Sequence, residues 1–427
     1  MTHYLLLPAG SHGDVHPFVA IGRRLREQDH RVTVITSEAF REVATRNGLE
    51  FAGLLGADEY QALMDHPDLW HPRRGFAVIL KKSQLEKVIP LAFEAIRERY
   101  EPGRTVVVAG SLAMSARIAH EVLGVPHVTL HLQPVTCLSV ADPPVTAEGF
   151  DFRSMPPSLV RLAYRLVDLF LLDPLLAPTV NAFRAQLGLR PVRRVLSRWA
   201  PSTQRVIGLF PKWFGPVPDC GPEFRHGGFV LFDDAEQRPT PRSLAEFLDA
   251  GPPPVVFSFG SAMKHGRPWF EAAVEACGLG GFRGVLLGRS GAQIPESLPA
   301  NVHHADYAPF SEVFARAAAI VHHGGIGTTA QAMRAGVPQL VMPLAYDQGD
   351  NAARAARLGV AEVLAPARFR GPMVAARLRA MLANDAKRTA ARALRDRFHE
   401  DDALARTCAL IEERIGKDVR PAKPARA

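Results

Sequence analysis

Short runs of Val, Ile, Leu and Ala alternate along this chain with Gly- or Pro-containing turns, then with longer stretches whose apolar residues recur every three or four positions. A short, wholly apolar run suits a strand covered on both faces, and the longer stretches suit amphipathic helices. The first half offers strand candidates at 4–7, 31–36, 105–109, 127–131 and 204–209. The second offers 254–259, 283–287, 319–322, 339–342 and 361–364. This alternation predicts an α/β protein with two Rossmann-like, doubly wound parallel-sheet domains. A polar stretch after Phe232 and the run Gly251-Pro-Pro-Pro mark the seam. The expected units are residues 1–235, a linking region 236–253, a second sheet domain 254–400, and a C-terminal helix with a basic tail over 401–427.

One segment departs from this grammar. In residues 155–190 leucines recur at helical spacing, and Pro174 interrupts them. The plain reading is a pair of helices packed on the core. The sharper one is an apolar wall for a greasy ligand, or a face that docks on a membrane.

Composition narrows the classes. With 47% hydrophobic residues among 427, the chain is globular and long enough for more than one core. The net charge of +8 comes without a long basic block, and aromatics are only 8%, which argues against nucleic-acid binding. Cys137, Cys220, Cys277 and Cys408 are scattered, with no metal spacing, and read as reduced thiols. The N-terminus has no signal-peptide pattern and no run of eighteen apolar residues is evident, so the expectation is a cytoplasmic protein, at most peripheral at the inner membrane face.

Three turns carry candidate chemistry. In His322-His-Gly-Gly-Ile-Gly-Thr-Thr a strand ends, a Gly-rich turn follows, and a helix begins near Gly327. The unpaired N–H groups of such a helix start favour phosphate oxygens, and His323, Thr328 and Thr329 can donate further. In Asp347-Gln-Gly-Asp-Asn a carboxylate stands beside an amide, a pair suited to sugar hydroxyls or, more simply, to a helix cap. The N-terminal turn Gly10-Ser-His-Gly-Asp-Val-His-Pro gathers His12, Asp14 and His16 within five residues.

These motifs, together with Tyr307-Ala-Pro-Phe and Gly336-Val-Pro, resemble family 1, UDP-glycosyltransferase-like enzymes over nearly the whole chain. The resemblance implies a GT-B fold, with the acceptor in the N-terminal domain and a nucleotide sugar in the C-terminal one. It implies no cofactor and no metal, hexosyl transfer with inversion, and these donor contacts: Tyr307 on the base, His323, Gly325, Gly327, Thr328 and Ser261 on the diphosphate, Asp347 and Gln348 on the sugar. Plant-type members carry a catalytic His after the N-terminal glycine and an Asp beyond the third strand. Here Asp14 follows Gly13 and the segment reads Val108-Ala-Gly-Ser, so Asp14 is the expected base, with His12 and His131 as fallbacks. Gln331 stands where many UDP-sugar enzymes have Glu, and offers one acceptor where Glu offers two, which leans toward a deoxyribose donor.

Within the family the resemblance is strongest to the rhamnosyltransferases of rhamnolipid synthesis, through Asp68-Leu-Trp-His-Pro and Leu209-Phe-Pro-Lys-Trp-Phe. It implies dTDP-L-rhamnose as donor and a 3-(3-hydroxyalkanoyloxy)alkanoic acid as acceptor, handed over by a partner protein. The alternatives are a UDP-glucose enzyme acting on a small natural product, sterol or macrolide; an NAD-dependent oxidoreductase using the Gly10 turn and Glu38; and a non-catalytic nucleotide- or lipid-binding protein.

Overall fold

The computed structural model describes residues 1–260, 263–289 and 293–415. Ser261, one of the expected diphosphate contacts, and the basic tail 416–427 lie outside the described residues.

Two all-parallel sheets face each other. The first contains β1 His3–Leu7, β2 Arg31–Thr36, β3 Glu50–Gly53, β4 Thr105–Gly110, β5 His127–His131, β6 Arg205–Gly208 and β7 Phe224–His226. Its strand order is β3-β2-β1-β4-β5-β6-β7. The second contains β8 Val255–Ser258, β9 Gly284–Leu287, β10 Val302–Ala305, β11 Ala319–His322, β12 Gln339–Val341 and β13 Ala361–Val363, in the order β10-β9-β8-β11-β12-β13. Each of the ten anticipated strands has a counterpart. The three unanticipated ones, β3, β7 and β10, all lie at sheet edges. An edge strand is covered less completely, so Glu50-Phe-Ala-Gly and Phe224-Arg-His never form a continuous apolar run.

The order reverses beside β1 in the first sheet and beside β8 and β11 in the second. At such a reversal neighbouring crossovers diverge and leave a crevice at the carboxyl ends of the strands. The two histidine-bearing turns emerge there, after β1 and β11. The C-terminal helix Ala403–Ile415 returns to the first sheet, where Cys408 and Ile411 join the core around Val19 and Leu25. His30 and Glu412 pair beside it at 3.1 Å.

The Leu-rich segment differs from the expected pair of helices. Pro174 does not split it. Helix Pro157–Val167 runs through a π-helical turn, Asp168–Leu172, into helix Asp173–Gln186. Pro174 falls in the first turn of the last piece, where its missing N–H matters least. Residues 157–186 therefore form one continuous helix, whose best eighteen-residue window reaches a mean hydropathy of 1.4. By length and composition that could cross a bilayer, contrary to the reading of the bare sequence. Its inner row, Leu176, Val180 and Phe183, packs instead into the first domain's core with Phe93 and Ile89.

Candidate active site

A cavity of about 890 Å³ lies between the two sheets, lined by Asp14, His131, Tyr307, His323, Gln331 and Asp347 among others. His12, Gly325, Gly327, Thr328 and Gln348 also border it. Residues far apart in sequence thus share one space, and Ser261 is the single candidate whose position is undescribed.

Asp14 occupies the first turn of the helix His12–Glu27. Its Oδ2 accepts from the Ser11 amide at 2.6 Å and the Ser11 hydroxyl at 3.0 Å. The cap and the cleft-facing carboxylate are therefore the same residue. Gly10 permits this placement: its φ is +135°, and a Cβ there would lie 2.3 Å from Asp14 Oδ2. Burial raises the Asp14 pKa, while the two Ser11 hydrogen bonds act in the opposite sense.

The fallback bases are both kept neutral. Burial, then the charge of Arg289, takes His12 down to about 3. Its Nε2 faces Arg289 Nη1 at 3.3 Å, across the cleft from the second domain. Burial takes His131 down to about 4, and its Nδ1 meets Ser111 Oγ at 2.8 Å. That serine belongs to the Val108-Ala-Gly-Ser segment, where plant-type enzymes carry an acid. His16, lowered to about 4 by burial, packs edge-on against Phe232.

In the second domain the ring of His323 is laid between two glycines. A Cβ on Gly325 would come within 2.5 Å of His323 Nε2, and one on Gly260 within 3.1 Å. Burial takes His323 down to about 4, so it is neutral and can donate one ring N–H. Behind it stands a buried network that the sequence did not announce. Gln339 Oε1 and His322 Nε2 lie 2.9 Å apart, the Gly324 amide donates to His322 Nδ1 at 3.1 Å, and Asn351 Nδ2 donates to the Gly324 carbonyl at 3.0 Å. The same Asn351 nitrogen donates to Asp347 Oδ2 at 2.5 Å. One amide thus ties the Gly-rich turn to the carboxylate. Thr329 turns back to the Gly325 carbonyl at 3.0 Å, while Thr328 borders the cavity.

Burial raises Asp347 to about 7 despite the Asn351 hydrogen bond, and the Asp14 charge adds to the rise. Gln348 is more committed than its sequence position suggests. Its Oε1 accepts from the amides of Leu344 and Ala345 at 2.8 and 3.1 Å, so its amide nitrogen is the group left for a ligand. Tyr346, just before, has φ +58° and donates from its hydroxyl to the Leu69 carbonyl of the first domain. Trp70 meets Tyr346 and His323 edge-on, at 5.7 and 6.2 Å. Tyr307 also has company: the Arg238 guanidinium lies 3.9 Å from its ring centroid, so one face is covered.

The two halves are clamped below the cavity. Arg354, 1% exposed, pairs with Asp142 at 2.5 Å and Asp350 at 2.7 Å. At Gly349 a Cβ would lie 2.2 Å from the Thr146 carbonyl, so the 139–151 loop rests directly on the helix Gln348–Arg357. Glu38, the acid of the oxidoreductase reading, is held locally by Arg41 through two 2.7 Å contacts.

Comparison with known proteins follows this layout. Residues 4–142 match the glycosyltransferase family 28 N-terminal domain, and residues 287–408 match the erythromycin biosynthesis protein CIII-like C-terminal domain. The chain is 31% identical to O-mycaminosyltylonolide 6-deoxyallosyltransferase of Streptomyces fradiae, over 96% of each chain. It is 28% identical to sterol 3-beta-glucosyltransferase UGT80A2 of Arabidopsis thaliana, over 81% of this chain and 55% of that one. Among solved structures it is similar to a Streptomyces sp. SF2575 glycosyltransferase complexed with thymidine diphosphate, with a TM-score of 0.65, 21% identity, and coverage of 97% of this chain and 100% of that one.

Proposed function

The chain belongs to the GT-B glycosyltransferases of family 1, and on that premise we propose that it transfers a deoxyhexose, with inversion, from a dTDP-sugar to the hydroxyl of a large apolar acceptor. The observation that carries this reading is the convergence of Asp14 and the group His323, Gly325, Thr328 and Asp347 on opposite walls of one cavity. The second domain holds the donor. His323, the Gly325–Gly327 amides and the Thr328 hydroxyl receive the diphosphate, whose growing charge they stabilise as it leaves. Ionised Asp347 accepts from sugar hydroxyls, and the Gln348 amide donates to them. Tyr307 stacks on the base, on the face opposite Arg238 or in its place. Asp14 takes the acceptor proton from the other side.

A desolvated carboxylate is a better base than an ordinary one, because burial raises its proton affinity. The Ser11 hydrogen bonds fix Oδ2 and leave Oδ1 to meet the acceptor hydroxyl.

A deoxyribose over a ribose donor is favoured by Gln331 at the expected sugar-contact position, and thymidine diphosphate stands in a structurally similar enzyme. L-Rhamnose, and a 3-(3-hydroxyalkanoyloxy)alkanoic acid as acceptor, follow from the motif resemblance and suit the cavity's apolar walls, such as Leu63, Ile79, Val88 and Leu172. A macrolide or sterol acceptor is the second reading, favoured by the names of the relatives. The deciding experiment is a transfer assay that crosses dTDP-L-rhamnose and UDP-glucose with the hydroxyacyl acid, a macrolide aglycone and a sterol. Product from dTDP-rhamnose and the hydroxyacyl acid supports the first reading. Product with UDP-glucose alone refutes the dTDP assignment.

A further inference from the structure

The helix formed by residues 157–186 leaves a long apolar row uncovered. Leu159, Leu162, Leu166, Leu169 and Phe170 are 44–73% exposed, with Phe170 the most. They are spaced three or four apart, apart from the adjacent last pair, so they share one side of the helix. Charge is sorted around that side in one sense only. The outward charged residues are Arg161 and Arg165. Both acids of the helix point inward: Asp168 pairs with Arg194 at 2.9 Å, and Asp173 accepts from the Arg194 and Val195 amides at 2.7 and 2.9 Å. Its remaining arginine, Arg184, is buried on Glu121. An amphipathic helix with an apolar face, a cationic flank and no outward acid is matched to a bilayer surface bearing negative headgroups.

The helix lies along the surface, because its inner row is committed to the domain core. The π-helical turn Asp168–Leu172 links its two sides. Leu169 and Phe170 face outward, while Leu172 is buried and lines the cavity. Leu196 and Ser197, packed beside that turn, line it too.

We propose that this face docks in the headgroup–acyl boundary of an anionic phospholipid membrane, with Leu169 and Phe170 inserted and Arg161 and Arg165 on the phosphates. The cavity then sits one turn of helix away from the lipid. Delivery of an acceptor by that route rests on the apolar-acceptor reading above, whereas docking itself does not.

The test is co-sedimentation with vesicles of phosphatidylglycerol or of phosphatidylcholine, at low and high salt. Wild-type protein is expected to bind phosphatidylglycerol vesicles at least about tenfold more tightly than phosphatidylcholine, and more weakly as salt rises. Leu169→Ser with Phe170→Ser, and separately Arg161→Glu with Arg165→Glu, should each lose that binding about tenfold or more. These positions are exposed, so thermal melting should not change. Phe170→Trp is a second readout, with its emission shifting to the blue on vesicle addition. Absence of binding, equal binding to both lipids, or variants that bind like wild type would overturn the proposal. So would a dimer in light scattering that the serine pair dissociates, since a second copy would then be what covers the face. Vesicle binding in a protein with no transferase activity would leave docking intact and refute the enzymatic reading.

Discussion

The two walls of the cavity are built on different principles. On the second-domain side, the Gly-rich turn, His322, Gln339, Asn351 and Asp347 are joined into one buried hydrogen-bonded network, so the groups proposed to hold the donor are fixed in advance. On the first-domain side, among the described residues, Asp14 is held by Ser11 alone, and its neighbours His12 and His16 make mostly ring contacts. A diphosphate is the same in every donor, and a rigid polar cradle suits it. An acceptor must be admitted, seated and released, and an apolar wall with one oriented carboxylate suits that.

The contrast breaks most visibly at Asp14. Asp14→Asn keeps an acceptor for the Ser11 cap and removes the proposed base. The turnover number should fall by about 10²–10⁴-fold, while donor affinity by calorimetry stays close to wild type. Retained turnover would move the chemistry elsewhere. Next is the clamp: Arg354→Met strands two buried carboxylates and should cost about 3–5 kcal/mol in urea unfolding. Adding Asp142→Asn and Asp350→Asn should recover most of that loss. If the single variant is as stable as wild type, the buried triad is not what joins the halves.

A smaller effect sharpens the account of the cradle. Asn351→Ala frees Asp347 and the Gly324 carbonyl together, and should raise the donor KM about 10–100-fold, as the loss of a hydrogen bond to a charged group implies. A KM like that of wild type would show that the network is not needed to hold the donor. Asp347 itself carries a pH signature. Its folded value of about 7 lies above the usual carboxylate range, so ionisation is disfavoured in the native state. The cost is absent below pH ~4, grows above it, and is complete above pH 7. Asp347→Asn should therefore raise the melting temperature by about 2–4 °C at pH 8 and not at all below pH 4, with solvent in the cavity screening the rest. By the same ionisation, the wild-type donor KM should rise as pH falls through 7. The smallest expected effect is that of His12→Gln, because His12 is neutral at working pH and faces a cation. A hundredfold loss there would make it the base in place of Asp14.

The same contrast governs what could be read from the chain. The Gly-rich turn, Asp347-Gln and the Asp14 turn are local: motif and helix start lie within a few residues, so spacing is enough to find them. Asn351 stood in plain view, yet its role depends on Gly324, 27 residues earlier. Arg289 facing His12, Tyr346 bonded to Leu69, and Arg354 on Asp142 join residues 212–277 positions apart, which no periodicity reports. Gln348 was legible as a polar residue at a strand end but not as one whose oxygen the turn already uses. The edge strands escaped for the opposite reason: their local signal is weak, and only their neighbours make them strands.

The returning helix Ala403–Ile415 has a consequence for anyone recombining such chains. Enzymes of two facing halves invite grafting, with a donor-side module from one parent and an acceptor-side module from another. Here the last helix belongs physically to the first half: its Cys408 and Ile411 are buried there, and Arg406 donates to the Gly227 carbonyl at 3.1 Å. A single crossover near residue 240 would give one parent's first sheet the other parent's closing helix, and misfit that core. A hybrid with two crossovers, the second just before Ala403, would keep the first sheet's core native and leave one mixed core, where Phe210, Phe214 and Phe229 pack against Ala330, Met333 and Val341.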